Sequence, residues 1–243
     1  MSTVLSARAW ETVWTYRATF VQGLLNTLET AGIALVIALI IGFTLGLFST
    51  SGHKALKAVA RVYVEFFQNT PLILQVCFLY YVLAYSGMGL PVIVVGFISL
   101  GLYHGAYISE VVRSGIEAVP AGQFDAAHSQ GFEYFGMMRY IILPQTVRII
   151  LPPMGNQVVS LIKNTSCLYI VGGADLIAST YNFVTGDNTA GAYGPAYLVS
   201  GLIFFVICYP LSMLAVRWEA RLKKRTAARP ATQTTGEEAT RNE

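Results

Sequence analysis

The sequence predicts an all-α membrane protein with about five transmembrane helices. Of its 243 residues, 54% are hydrophobic and only 12% are charged, whereas soluble domains carry about 25% charged residues. The mean hydropathy is +0.55. A chain this apolar cannot bury its surface in a soluble fold, so we expect it to use the bilayer as its solvent. The net charge of +3 is too small to indicate a nucleic-acid partner.

The chain begins with a polar segment that carries aromatic residues. Trp10, Trp14 and Tyr16 precede the first long apolar run, and aromatic side chains are enriched at membrane–water interfaces. The first twenty or so residues have neither a continuous apolar core nor a small-residue cleavage site, so no cleavable signal peptide is predicted. We therefore expect an interfacial helix ahead of the first span.

Five apolar stretches are long enough, or nearly so, to cross a hydrocarbon core about 30 Å thick. They are predicted at 23–49, 62–85, 91–112, 152–172 and 196–217. The first contains Gly42 and Gly46, whose spacing lets another helix approach closely. In the second, Pro71 removes a backbone donor and disfavours helix at Thr70, which predicts a kink or break. Pro210 predicts a milder kink in the fifth.

Two further sequence features bear on this arrangement. The three cysteines each lie in an apolar run, and no metal-site spacing links them, so they are predicted to be packing residues.

Lys and Arg concentrate in 50–61, in 113–150 and after the last span, whereas 86–90 and 173–195 contain none. By the positive-inside rule, the N-terminus lies outside and the C-terminus in the cytoplasm. The polar C-terminal residues are predicted to form a disordered cytoplasmic tail.

One polar segment separates the third and fourth spans on the cytoplasmic side. It contains Asp125-Ala-Ala127, then Gly131, and it ends in Ile141-Ile-Leu-Pro144. Its small side chains would let another protein approach closely. If 121–130 is helical, one face contains Phe124, Ala127, His128 and Gly131, and another contains Asp125 and Ser129. Gly131 is suited to end that helix in a left-handed conformation, and a second short helix is predicted at 133–140.

The fourth span is the most polar. Asn156, Ser160, Lys163 and Cys167 recur at helical spacing, with Gln157 and Asn164 beside them. A lysine within a membrane needs water, a carboxylate or carbonyl oxygens around it. Either this face lines a translocation path or a subunit interface, or Lys163 plays a structural role, by snorkelling or by pairing with Glu65 or Glu110.

A second group of candidate path residues surrounds Pro71. Backbone groups freed near a proline must be satisfied within the protein or by water in a cavity. The region is therefore either a ligand-side element or a kink without ligand contact. Its polar members are Gln68, Asn69, Thr70 and Gln75.

Several functions are excluded or disfavoured by missing motifs. The sequence has no Gly-x-x-x-x-Gly-Lys-Ser/Thr phosphate loop, so this chain is not expected to bind ATP or to be an enzyme. It has no tandem or inverted repeat of the kind that builds many secondary transporters. Because five helices are few for a complete pathway, we expect a second copy or a homologous partner to enclose it.

The polar segment resembles the signature loop of bacterial ABC-importer permeases, which reads Glu-Ala-Ala, Gly four residues on, then Ile-x-Leu-Pro. Asp125 stands where the family usually has Glu. The resemblance to these permeases covers about 20–222. Four further stretches resemble their polar-amino-acid branch, the histidine, glutamine and glutamate importers. They are Tyr63–Leu72, Ala106–Gly115, Leu143–Pro153 and Ser160–Ser166. Asn164 stands where many members have Asp.

The resemblance implies a type I ABC-importer permease fold in the bacterial inner membrane. Its domains would be a periplasmic or interfacial segment at 1–22, a transmembrane domain at 23–222 and a disordered tail at 223–243. A coupling helix would contact a cytosolic ABC ATPase dimer, and its contact residues would be Phe124, Asp125, Ala126, Ala127, His128 and Gly131.

The resemblance also implies the remaining components. MgATP would be held by the ATPase, with no cofactor on this chain. A periplasmic or lipid-anchored solute-binding protein would deliver a polar amino acid near 86–90 and 173–195, and a second permease would complete the path. Two alternatives remain at this point: an ion-coupled secondary amino-acid transporter, and a membrane scaffold whose polar helix only recruits a cytosolic protein.

Overall fold

A computed structural model describes residues 6–186 and 191–227, with side chains described as far as 222. These residues form helices joined by short connections, and no strand occurs among them. The α-helices are α1 Ala7–Thr15, α2 Arg17–Thr50, α3 Lys54–Gln68, α4 Leu72–Tyr85, α5 Val92–Glu117, α6 Ala121–Ser129, α7 Tyr134–Met137, α8 Leu143–Asn164, α9 Leu176–Thr185 and α10 Tyr193–Ala227. A π turn, Met138–Ile142, joins α7 to α8, and a 3₁₀ segment, Thr165–Val171, follows α8.

The predicted all-α membrane fold is confirmed. Three helices, α2, α5 and α10, are long and apolar enough to cross a membrane, and two bent helix pairs bring the number to five if each pair is one span. The pair α3–α4 bends by 99° at the predicted Thr70–Pro71 break. The pair from α7 through the 3₁₀ segment to α9 bends by 41°.

Some predicted boundaries differ from the observed ones. The first span begins at Arg17 rather than 23, because α2 continues through the polar residues before its apolar run. The fourth span was expected from 152, but α8 begins at Leu143 and contains both Pro152 and Pro153. The C-terminal helix continues through Ala227, so the first residues of the predicted tail are helical. Residues 228–243 lie outside the described part of the chain.

Close packing of α2 against α5 forms the centre of the bundle. Ala34, Ala38, Gly42 and Gly46 recur every four residues along α2, and all are buried. A Cβ atom on Gly46 would lie only 2.6 Å from the Val112 side chain and 3.1 Å from the Ser109 carbonyl oxygen. The small-residue pair predicted from the sequence is therefore a real helix contact, because only glycine lets the two backbones come this close.

The short helix α1 packs in one apolar cluster with α9 and α10. Ser6 caps α1 by accepting a hydrogen bond from the Ala9 backbone at 3.2 Å. Ala9 and Val13 are buried in a cluster with Phe20 and Phe183. Trp14 is 71% exposed, and the Arg17 guanidinium lies 5.3 Å from the centre of its ring. The predicted helix ahead of the first span is therefore present. Its location at the membrane surface stays a prediction.

Two other apolar clusters position the functional segments. The central cluster joins α2, α4, α5, α8, α10 and the 3₁₀ segment, and all three cysteines pack in or against it. The second cluster joins α5, α6 and the π turn, with Ile108, Val112 and Ile142 fully buried. This second cluster holds α6 against the π turn and α7.

Candidate functional site

The polar segment folds into α6 with a defined C-terminal stop. Gly131 has a φ of +79°, which residues with a Cβ rarely adopt. Its N–H donates to the His128 carbonyl oxygen at 2.9 Å, and the Phe132 N–H donates to the Ala127 carbonyl oxygen at 3.1 Å. This pair of bonds is a Schellman motif. The predicted helix and its termination at Gly131 are confirmed.

The two faces of α6 have different surroundings. Ala127 is 2% exposed and Phe124 is half-buried, and both pack into the second cluster. Asp125, Ala126 and His128 are exposed, as is Gly131. The face predicted to contain Phe124, Ala127, His128 and Gly131 is thus divided. Phe124 and Ala127 anchor α6 to the protein, and the others remain accessible to a partner.

The connection from α6 to the fourth span differs in detail from the prediction. The short helix expected at 133–140 is one turn, α7, followed by the π turn. Pro144 lies within the first turn of α8, where a missing backbone N–H costs little. The amides of Gln123 and Gln145 meet at 3.3 Å and join α6 to α8.

At the break between α3 and α4, carbonyl oxygens accept hydrogen bonds from side chains of the same segment. The Gln75 Nε2 atom lies 3.1 Å from the Phe67 carbonyl oxygen, 3.1 Å from the Thr70 carbonyl oxygen and 2.6 Å from Thr70 Oγ1. Asn69 and Thr70 donate to the carbonyl oxygens of Glu65 and Phe66. Of the alternatives for this region, these bonds favour a kink braced by its own side chains.

The polar residues of α8 point in two directions. Gln157 and Asn164 contact His104 of α5, which is 1% exposed. The His104 Nδ1 lies 3.3 Å from Gln157 Oε1, and its Nε2 lies 3.1 Å from Asn164 Nδ2. A neutral ring that donates at Nδ1 and accepts at Nε2 satisfies both contacts. On the other side, Asn156 and Lys163 are exposed and Ser160 is half-buried.

Of the alternatives left open for Lys163, an ion pair with Glu65 or Glu110 is not found among the described residues. Glu110 is instead engaged by Arg113, with an Nη2–Oε2 distance of 2.7 Å, and Arg113 also reaches Glu117 at 2.7 Å. Within residues 6–186 and 191–222, no ion pair joins Lys163 to Glu65 or Glu110. Glu110 pairs with Arg113 because the two lie one turn apart on the same helix, so their side chains meet without any contact between helices.

A charged cavity of about 440 Å³ lies between α3 and the end of α5 that leads to α6. Gln68 is the one predicted path residue that lines it. The other polar and charged lining residues are Ser49, Lys57, Arg61, Glu65, Glu110, Arg113 and Glu117. The predicted path residues of the second and fourth spans do not form one site within this chain.

Sequence reasoning missed two groups. The His104 group could not be recognised from the sequence, because its partners lie 53 and 60 residues away in the chain. The Glu110–Arg113–Glu117 group was not recognised, although its spacing of three and four residues on a helix was a readable signal.

A family profile described as "Binding-protein-dependent transport system inner membrane component" matches residues 38–224. The chain belongs to this family. Relatives with matching length support it. The "Probable glutamine ABC transporter permease protein GlnM" of Bacillus subtilis (strain 168) is 35% identical, over 84% of this chain and 94% of that protein. The "Probable amino-acid ABC transporter permease protein y4tG" of Sinorhizobium fredii (strain NBRC 101917 / NGR234) is 33% identical, over 84% and 87%.

Solved structures agree with the assignment. A crystal structure of an amino acid ABC transporter with histidines matches with a TM-score of 0.79 and 32% identity, over 87% of this chain and 98% of that one. The MetNI methionine ABC transporter in an inward-facing form shares the fold, with a TM-score of 0.67 and 14% identity, over 84% and 98%.

The family member described here is therefore a multi-pass inner-membrane permease of an ABC importer with the type I fold. This finding rules against both alternatives, the ion-coupled transporter and the scaffold. The family is the permease component and not the ATPase, and membership implies a separate ATPase and a solute-binding protein as partners.

Proposed function

We propose that this chain carries a polar amino acid through the inner membrane as one of two permease subunits, with glutamine as the first substrate to test. The names of the relatives support the substrate, and the division of α6 into a buried and an exposed face supports coupling to an ATPase. The exposed residues Asp125, Ala126, His128 and Gly131 form the surface offered to the ATPase, which binds MgATP.

The anchoring of α6 gives a route from ATP binding to the spans. Phe124 and Ala127 pack into the second cluster, which also contains the end of α5 and the π turn before α8, and Gln123 meets Gln145 of α8. A displacement of α6 by the ATPase would therefore move α5 and α8 together, because close-packed interfaces transmit displacement. The spans would then alternate between outward and inward openings.

The path would lie along surfaces that this chain leaves exposed. We place Asn156, Ser160 and Lys163 on that surface, with Gln68 at the charged cavity, facing the second permease. Asn69, Thr70, Gln75 and Asn164 would shape the walls through the bonds described above. The solute-binding protein would dock on the outer side near 86–90 and 173–195, where Tyr85 is 90% and Met88 is 60% exposed.

The coupling proposal is tested by Ala126→Asp. This change adds a charge to the exposed face of α6, and an unpaired charge buried in an interface costs a few kcal/mol. We expect ATPase association and substrate-stimulated ATP hydrolysis to fall about tenfold or more. Uptake of radiolabelled glutamine into liposomes that contain the transporter should fall with them. Ala127→Asp is unsuitable, because Ala127 is buried in the chain's own core.

The matched control is Ala55→Asp, which adds the same charge to an exposed alanine of α3. It is expected to leave ATPase association and hydrolysis unchanged. Normal coupling and uptake in Ala126→Asp would refute the role of α6. If coupled ATP hydrolysis responds to another amino acid and not to glutamine, the proposed substrate is wrong and the proposed role of α6 is unaffected.

A further inference from the structure

An apolar groove lies beside the turn that joins α2 to α3. Its volume is about 580 Å³. The turn and the adjoining helix ends form one wall, and α7 with the π turn and the start of α8 forms the other. Its lining residues are Leu47, Phe48, Ser51, Gly52, His53, Leu56, Tyr134, Phe135, Met138, Arg139 and Leu143.

The groove lies on the same side of the bundle as α6. Its first wall includes the end of the apolar span α2, and its second wall begins at α7, the element that follows α6 in the chain. Phe135 is 76% exposed, Tyr134 is 47% exposed and Tyr140 nearby is 69% exposed. Exposed aromatic rings at the end of a span are typical of the headgroup level of a membrane.

The charged rim of the groove is basic. His53 and Arg139 line it, both are exposed, and Lys54 follows His53 at the start of α3. The Arg139 guanidinium lies 5.8 Å from the centre of the Tyr140 ring. No carboxylate is among the lining residues, and Glu133, the acidic residue next to Tyr134, is exposed outside the lining.

An apolar trough with an arginine and a histidine at its rim and no carboxylate in its lining fits an amphiphile that has an acyl chain and an anionic head. We propose that this groove binds an anionic phospholipid of the cytoplasmic leaflet. The acyl chain would pack along Leu47, Leu56 and Met138, and the phosphate would lie at Arg139 and His53. Basic pockets on the cytoplasmic side of membrane helices are suited to such headgroups. The proposal is independent of which amino acid is transported.

The test is lipid retention by the full-length chain, purified in detergent with the subunits that accompany it. Phosphatidylglycerol and phosphatidylcholine with identical acyl chains are titrated and followed by native mass spectrometry. We expect phosphatidylglycerol to be preferred. Arg139→Gln should weaken its binding about fivefold, since one basic residue near the membrane surface contributes about that much. Leu56→Trp, which fills the trough, should weaken both lipids.

Arg148→Gln is the matched control, because Arg148 is an exposed arginine of α8 outside the groove. It should bind phosphatidylglycerol as the unmodified protein does. Equal binding of the two lipids, or unchanged phosphatidylglycerol binding in Arg139→Gln, would overturn the proposal. Labelling of Phe135→Cys that is blocked by the ATPase and unaffected by lipid would also overturn it, and would assign the groove to the ATPase interface.

Discussion

At the centre of the bundle, His104 meets an amide side chain at each of its ring nitrogens. Gln157 and Asn164 belong to α8 and His104 to α5, so the three side chains join two spans. A buried polar group costs free energy unless it is paired, and here every partner would be orphaned together if the ring were removed.

His104→Ala is therefore expected to destabilise the protein by about 1 kcal/mol, because the half-buried amides of Gln157 and Asn164 lose their hydrogen bonds to the ring. Thermal unfolding in detergent would show a lower midpoint. The matched control is His128→Ala, because His128 is exposed on α6 and has no such contacts; its midpoint should not move. Equal midpoints for both variants would show that the His104 contacts contribute nothing.

Gln75 shows the same logic at the broken span. The break at Pro71 deprives carbonyl oxygens at the end of α3 of helical partners. The Gln75 amide lies within hydrogen-bond distance of two carbonyl oxygens there, those of Phe67 and Thr70. A break inside a membrane is tolerated where such groups are satisfied by the protein itself. Gln75 thus supports the bend and is not free to bind a substrate through its Nε2.

Among the elements, α2 and α5 have the closest contact because of residue size. The row of Ala34, Ala38, Gly42 and Gly46 on α2 presents almost no side chain to α5. In a bilayer, helices gain little from hydrophobic contact with each other, so close van der Waals packing has to supply the association. Any enlargement on this face forces the helices apart.

Gly46→Leu should lower stability by about 1–3 kcal/mol, the usual cost of overpacking a core. Gly32→Leu on the same helix is the control, since a Cβ atom at Gly32 would meet nothing within 4 Å. Fluorescence-detected size-exclusion chromatography after a temperature series would measure both. A Gly46→Leu protein as heat-resistant as Gly32→Leu would contradict the contact.

For the whole molecule, orientation in the membrane follows from the distribution of basic residues. The α2–α3 turn, α6 and the end of α10 share one side in that scheme, and the α4–α5 connection lies on the other. This placement is a prediction from charge. It decides which surface meets the ATPase and which meets the solute-binding protein.

Single cysteines introduced into a variant without native cysteines would test it. Ser86→Cys should react with a membrane-impermeant maleimide on intact spheroplasts, and Ser129→Cys should react only after the membrane is opened. Both serines are exposed, so neither change disturbs the core. The reverse labelling pattern would place α6 outside the cell and remove the basis for ATPase coupling.

The sequence alone determined the fold class, about five spans, the break at Pro71 and the short helix α6 with its stop at Gly131. These features depend on local properties: runs of apolar residues, the covalent limits of proline and the positive φ open to glycine. Each is present in a few neighbouring residues, so no knowledge of distant contacts was needed.

Only the tertiary structure decided which polar residues meet. It paired His104 with Gln157 and Asn164, turned Phe124 and Ala127 inward, and ruled against pairing of Lys163 with Glu65 or Glu110. Periodicity gives the face of a helix on which a side chain lies, but the neighbour of that face depends on how distant helices pack. That packing depends on small residues such as Gly46, whose contribution is the absence of a side chain.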